Sequence, residues 1–133
     1  VRIAEEIICY ATLLHHKSGV NKNDWLHVHH NLLQILDFVV DYAADHDLPI
    51  MITSIIRPKI KGVSKSKTHE EGRAFDLSVR GWNDVHVQKL VILVNDKFET
   101  GAISLSDHKE REAVYEDGQS AGTAPHLHFQ VRK

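Results

Sequence analysis

The sequence has little of what usually staples a small fold. Its 133 residues contain one cysteine, Cys9, so no disulfide can form within the chain. A fold of this length must then rest on a hydrophobic core, alone or helped by a metal. The three prolines and seven glycines gather into no linker, and no repeat or low-complexity tract divides the chain. One domain is expected, with a helical part over 1–48 and a second part over 49–133. No apolar run approaches the roughly 20 residues of a membrane span. Nor does one charge dominate, since 16 basic and 18 acidic residues give a formal net charge of -2. That balance removes the attraction behind nonspecific nucleic-acid binding, and no nucleic-acid partner is expected. The chain opens on Val1 with no basic stretch leading into an apolar one, so no signal peptide is predicted. What the sequence does have is histidine, 11 of them.

Hydrophobic periodicity predicts the elements. Ile3 to His16 reads as a helix ended by Ser18-Gly19, with His15, His16 and Lys17 suitably cationic at its C-terminus. A second helix, capped by Asn23 or Asp24, runs to about His46. Ile50 to Ile56 reads as a buried strand, Lys59 to Thr68 as a basic loop, and Arg73 to Val79 as an alternating strand. Asp84 to Phe98 is a third helix capped by Asn83 or Asp84. Ala102 to Ser106, Glu112 to Tyr115 and His126 to Arg132 complete the set as short strands. Segregated helices and late strands predict an α+β fold, an antiparallel sheet with helices packed on one side.

Two segments carry chemistry. In a strand over His126-Leu127-His128-Phe129-Gln130-Val131, Leu127, Phe129 and Val131 share the core face, and His126, His128 and Gln130 share the other. Two imidazoles on one face suit a metal ligand beside a proton-handling partner; a pair of exposed strand histidines is the plainer alternative. In His69-Glu70-Glu71-Gly72-Arg73-Ala74-Phe75-Asp76-Leu77-Ser78, alternation puts Asp76 on the polar face beside the small Ala74. His69 and Asp76 are an odd number of positions apart, so a plain strand would separate them. Gly72 can turn the chain and bring His69 back. The plainer reading is a solvated Asp76 and a loop glycine. Together the segments supply His, Asp and His, a nitrogen and oxygen set that leaves zinc an open fourth position, as catalytic sites do.

The pattern His-x-x-Gly-x-Ala-x-Asp, followed by His-x-His near the C-terminus, resembles the zinc peptidases that cut bacterial peptidoglycan. These are the D-Ala-D-Ala carboxypeptidases and L-Ala-D-Glu endopeptidases, grouped structurally with lysostaphin and the hedgehog signalling domain. The likeness covers roughly Ile50 to Val131. It implies a hedgehog/DD-peptidase fold and one zinc ion held by His69, Asp76 and His128. It further implies His126 beside the reacting bond, Arg57 on a substrate carboxylate, and peptidoglycan stem peptides as substrate. A guanidinium pairs bidentately with carboxylates, which makes that last role apt.

Two departures stand out. Where the family usually has Ser two positions before the first ligand, this chain has Lys67, and where many members carry an acid three positions before the last ligand, it has Pro125. Glu116 and Asp117 are then the candidate bases, with Glu116 preferred; turn chemistry at Asp117-Gly118 is the alternative. The expected function is a monomeric zinc metallopeptidase, whose small size suits phage encoding, made in the cytoplasm and acting on the cell wall or within a virion. The competing expectation is a binding or virion structural module that keeps fold and metal without turnover. The remaining histidines, among them His15, His16, His27, His29 and His30, are expected on solvated helix surface, and His46, His86 and His108 have no evident partner.

Overall fold

A computed structural model describes residues 2–57, 69–98, 113–117 and 125–131, and for 115–117 the backbone alone. The elements are helix α1 (Ala4–Ala11), a 3-10 helix (Lys22–His27), α2 (His30–Asp45), strand β1 (Ile52–Ser54), β2 (Ala74–Ser78), α3 (Asp84–Phe98), β3 (Val114–Asp117) and β4 (His126–Gln130). The strands form one sheet in the order β1-β2-β4-β3, each pair antiparallel. The class is α+β. The expected strand over 102–106 and the basic loop over 59–68 lie outside the described residues.

Each helix buries one stripe. Ile7 and Ala11 of α1, Leu32, Leu36, Val39 and Ala43 of α2, and Val87, Leu90 and Val94 of α3 join a single core with Phe75, Leu77, Leu127 and Phe129 of the sheet. Trp25, fully buried, packs edge-on against Phe75 with ring centroids 5.5 Å apart. Phe75 in turn stacks on Phe129 at 4.7 Å. The helix α3 starts and stops where its sequence says it should, and the Asn83 side chain caps it by accepting from the His86 N–H at 3.0 Å.

The first two helices differ from the expectation. The chain leaves α1 at Ala11, well before His16, because its backbone pairs with β1 instead. Lys17 N–H donates to the Ile52 carbonyl at 2.8 Å, and Ile52 N–H donates to the His15 carbonyl at 2.9 Å. The second expected helix is broken at Val28 and His29. Asn21, rather than Asn23 or Asp24, caps its 3-10 part, and the His29 ring caps α2 by accepting from Asn31 N–H. The break is tertiary in origin, since His29 N–H donates to the Gly72 carbonyl at 2.8 Å. The first strand is also short, covering Ile52–Ser54.

Gly72 is where the two halves meet. Its φ is +71°, and a Cβ there would stand 2.9 Å from the His27 carbonyl oxygen. Both the backbone angle and the close approach require glycine. At the opposite edge of the sheet, Asn95 of α3 clamps β3: its Oδ1 accepts from Ala113 and Val114 N–H at 2.6 and 3.0 Å, and its Nδ2 donates to the Val114 carbonyl at 3.1 Å. An edge strand so occupied does not offer those groups to another chain.

Candidate metal centre

Strand pairing assembles the site. Register places Asp76 opposite His128, Ser78 opposite His126 and Ala74 opposite Gln130, so these six residues share the sheet face away from Phe75, Leu77, Leu127 and Phe129. The turn at Gly72 returns His69 to that face, as the glycine suggested. His69 Nε2 lies 3.1 Å from Asp76 Oδ1, and His128 Nδ1 lies 3.0 Å from the same oxygen. The two imidazole rings stand nearly perpendicular, with centroids 5.0 Å apart.

The site is not solvated strand surface. Asp76 and His128 keep only 4% of their side chains exposed, whereas His126 keeps 17% and stands at the mouth, its Nε2 3.5 Å from Asp76 Oδ2. Burial by itself pushes the Asp76 carboxyl up. The positive His69 ring, hydrogen bonds from His128 and His69, and the charge of His128 outweigh it and hold the group well below the usual carboxylate range.

The outer ring nitrogens decide what the inner ones can do. His69 Nδ1 meets the Ile55 carbonyl at 2.7 Å, and a carbonyl only accepts, so that nitrogen carries the proton. His128 Nε2 meets the Gln130 amide oxygen at 3.2 Å and carries its proton for the same reason. Without a metal the inner nitrogens, His69 Nε2 and His128 Nδ1, donate to the Asp76 carboxylate; with a metal in place of those protons, the neutral rings would present lone pairs there. Three such donors converging on one point can hold a cation between them. Their spacing suits one, because tetrahedral ligands at zinc distances lie about 3.3 Å apart. His69, Asp76 and His128 form a buried group able to bind a metal ion, with one ligand atom from each lying within 4.8 Å of the others. The metal's identity does not follow from this geometry alone.

The other site residues fall as follows. Arg57 is exposed, three residues past β1 and two past the Ile55 carbonyl that tethers His69. For the acids, register opposes Glu116 to Leu127 and Asp117 to His126. Directly opposed residues share a face, so by register position 117 falls on the histidine face and position 116 on the core face, the reverse of the alternation behind the preference for Glu116. The side chains at 115–117 and residues 118–124 lie outside the described part of the chain.

Sequence reasoning missed the two tethers, the Ile55 carbonyl and Gln130. The first leaves no mark on a sequence. The second did: a glutamine on the histidine face of β4, fully buried, has to find a polar partner. Other histidines are structural rather than simply solvated. His16 Nδ1 donates to the Leu14 carbonyl at 2.7 Å while its Nε2 accepts the Trp25 indole N–H at 2.9 Å. His46 and His86 both find Tyr42, through its carbonyl and its hydroxyl respectively, each at 2.8 Å. His108 lies outside the described residues.

No protein-family model, curated protein or solved structure matches the chain.

Proposed function

We propose that the chain is a zinc-dependent peptidase that hydrolyses peptide bonds of bacterial peptidoglycan, as a carboxypeptidase or an endopeptidase. The observation that carries this reading is the buried His69–Asp76–His128 group with its inner ring nitrogens convergent and a further histidine at its mouth. His69, Asp76 and His128 would hold the zinc ion, which would supply Lewis acidity for polarising a carbonyl and activating water. The chain's own residues do the rest. His126, more exposed than the ligands and beside Asp76, holds a proton at Nε2 and delivers a hydrogen bond to the oxyanion that develops at the scissile carbonyl. Asp117, opposite His126 in register, supplies the carboxylate that takes up the water's proton. Arg57 binds a stem-peptide carboxylate through its planar fork.

The test is to incubate zinc-loaded protein with purified peptidoglycan and measure new amino groups, with the His128→Ala protein as control. Release by the wild-type protein alone supports the peptidase. Stoichiometric zinc binding without release sinks it and leaves the competing reading, a metal-containing binding or virion module of the same fold. One observation favours that competitor: the position three before His128 is Pro125, which can neither take nor give a proton.

A further inference from the structure

We infer that Gln130 is a positioning residue of the metal centre, whose amide oxygen holds the His128 ring as the Nε2–H tautomer and thereby selects Nδ1 as the atom that meets the metal. The inference rests on the metal reading of the site and is independent of the peptidase reading.

An imidazole can ligate through either nitrogen, and rotation about its Cβ–Cγ bond exchanges them. In this site the two rings are tethered differently. His69 is held by the Ile55 main-chain carbonyl at 2.7 Å, which no substitution of a side chain at position 55 removes. His128 is held by a side chain, Gln130 Oε1 at 3.2 Å from its Nε2. Gln130 is the only one of the two tethers that a mutation can delete.

Its placement fits this role. Residues two apart on a strand share a face, so position 130 stands beside His128, directly opposite Ala74. The glutamine is completely buried, among neighbours where Val or Leu would satisfy packing without a polar group to partner. Deleting its oxygen leaves the His128 Nε2–H buried without that acceptor, and leaves the ring without the contact that sets its orientation. A glutamine rather than a carboxylate also orients the ring without adding a second buried anion beside Asp76.

The experiment has two parts. In the zinc-loaded wild-type protein, nitrogen NMR of histidine side chains near pH 8 reads the tautomer directly, and loading with cadmium-113 reports the ligating nitrogen through its coupling. The Nε2–H tautomer of His128 and cadmium coupling at its Nδ1 are expected. Zinc affinity is then measured by competition with a chelator for Gln130→Leu and Gln130→Glu, with circular dichroism of the metal-free proteins checking the fold. Gln130→Leu is expected to bind zinc about 10- to 100-fold more weakly. Gln130→Glu, which keeps the acceptor, is expected to restore both affinity and Nδ1 coupling. Coupling at Nε2 in the wild type, or wild-type affinity in a folded Gln130→Leu, overturns the inference while the metal centre stands. If Gln130→Leu does not fold, the wild-type spectrum and Gln130→Glu decide. A wild-type protein that binds neither zinc nor cadmium overturns the metal centre and this role together.

Discussion

Replacing Gly72 by alanine tests whether the metal turn and the N-terminal half are one mechanical unit. The substitution meets two obstacles. At φ +71° an L-residue sits in the left-handed region, a cost of about 1–2 kcal/mol. The new Cβ would also lie 2.9 Å from the His27 carbonyl oxygen, a backbone atom held near by the bond from His29 N–H to the Gly72 carbonyl. Relieving that overlap costs about 1–3 kcal/mol more. Alanine restricts the unfolded chain, which returns about 0.4–1 kcal/mol. The net loss expected is about 2–3 kcal/mol, or about 10 °C in Tm for a chain of this size. Gly19 is the control, with φ +92° but open space around its Cβ position. Gly19→Ala should therefore lose only the backbone part, about 1 kcal/mol or less after the same correction. Urea unfolding of the metal-free proteins, followed by tryptophan fluorescence, measures both. A Gly72→Ala protein no less stable than Gly19→Ala would refute the close-packing argument. Zinc affinity should fall in Gly72→Ala alone, because the strained turn is the one that presents His69.

Other outcomes can be checked alongside. His128→Ala should abolish stoichiometric zinc binding, and a chelator should lower the Tm of the wild-type protein, since metal binding to the native state adds to its stability. His126→Ala should keep zinc and lose peptidoglycan cleavage by about 100-fold; loss of zinc equal to that in His128→Ala would make His126 a ligand. Asp117→Asn should cut turnover by about 100-fold and Glu116→Gln by far less, and the reverse order would contradict the strand register. His16 supplies a pH dependence. Burial lowers its affinity for protons, Lys22 and His15 add to that, and the Leu14 carbonyl opposes it, the net being a pKa below the ordinary 6.5. Its contribution to stability is thus complete above about 6.5 and lost as pH falls through the lower native value. Emission from Trp25, isolated by Trp82→Phe, should follow that loss on acidification, and a response that survives His16→Gln would place its origin elsewhere.

The legible parts of this fold are those in which local pattern and tertiary demand agree. Alternation over 73–79 and 126–131 assigned every face correctly, because each strand presents apolar residues to one core and polar residues to one site. Helix α3 was legible for a similar reason, having a side-chain cap at Asn83 and a clean apolar stripe. Elsewhere the backbone bonds to something distant, and sequence is blind to it. Helix α1 ends early because His15 and Lys17 pair with Ile52, and the second helix breaks because His29 pairs with Gly72. The strand at Ile52 stops early, and the Ile55 carbonyl just beyond it is given to His69. At the site, residue types and spacing identified the histidines and Asp76. Placing positions 116 and 117 on their faces needed the pairing of β3 with β4, which no count of residues along the chain provides.

The pairing of β2 with β4 also acts as an error check on folding. Leu127 and Phe129 point into the core from the same strand that carries His126 and His128 to the opposite face. A slip of one residue would exchange the two sets, driving imidazoles into the hydrocarbon interior and turning Phe129 toward Asp76. Such a misaligned sheet loses its packing and its ligands in the same move, so a one-residue slip cannot keep one while spoiling the other. The core thereby proofreads the site. A substitution that loosens Phe75 or Phe129 should broaden the distribution of strand alignments, and should degrade metal binding without touching a single ligand.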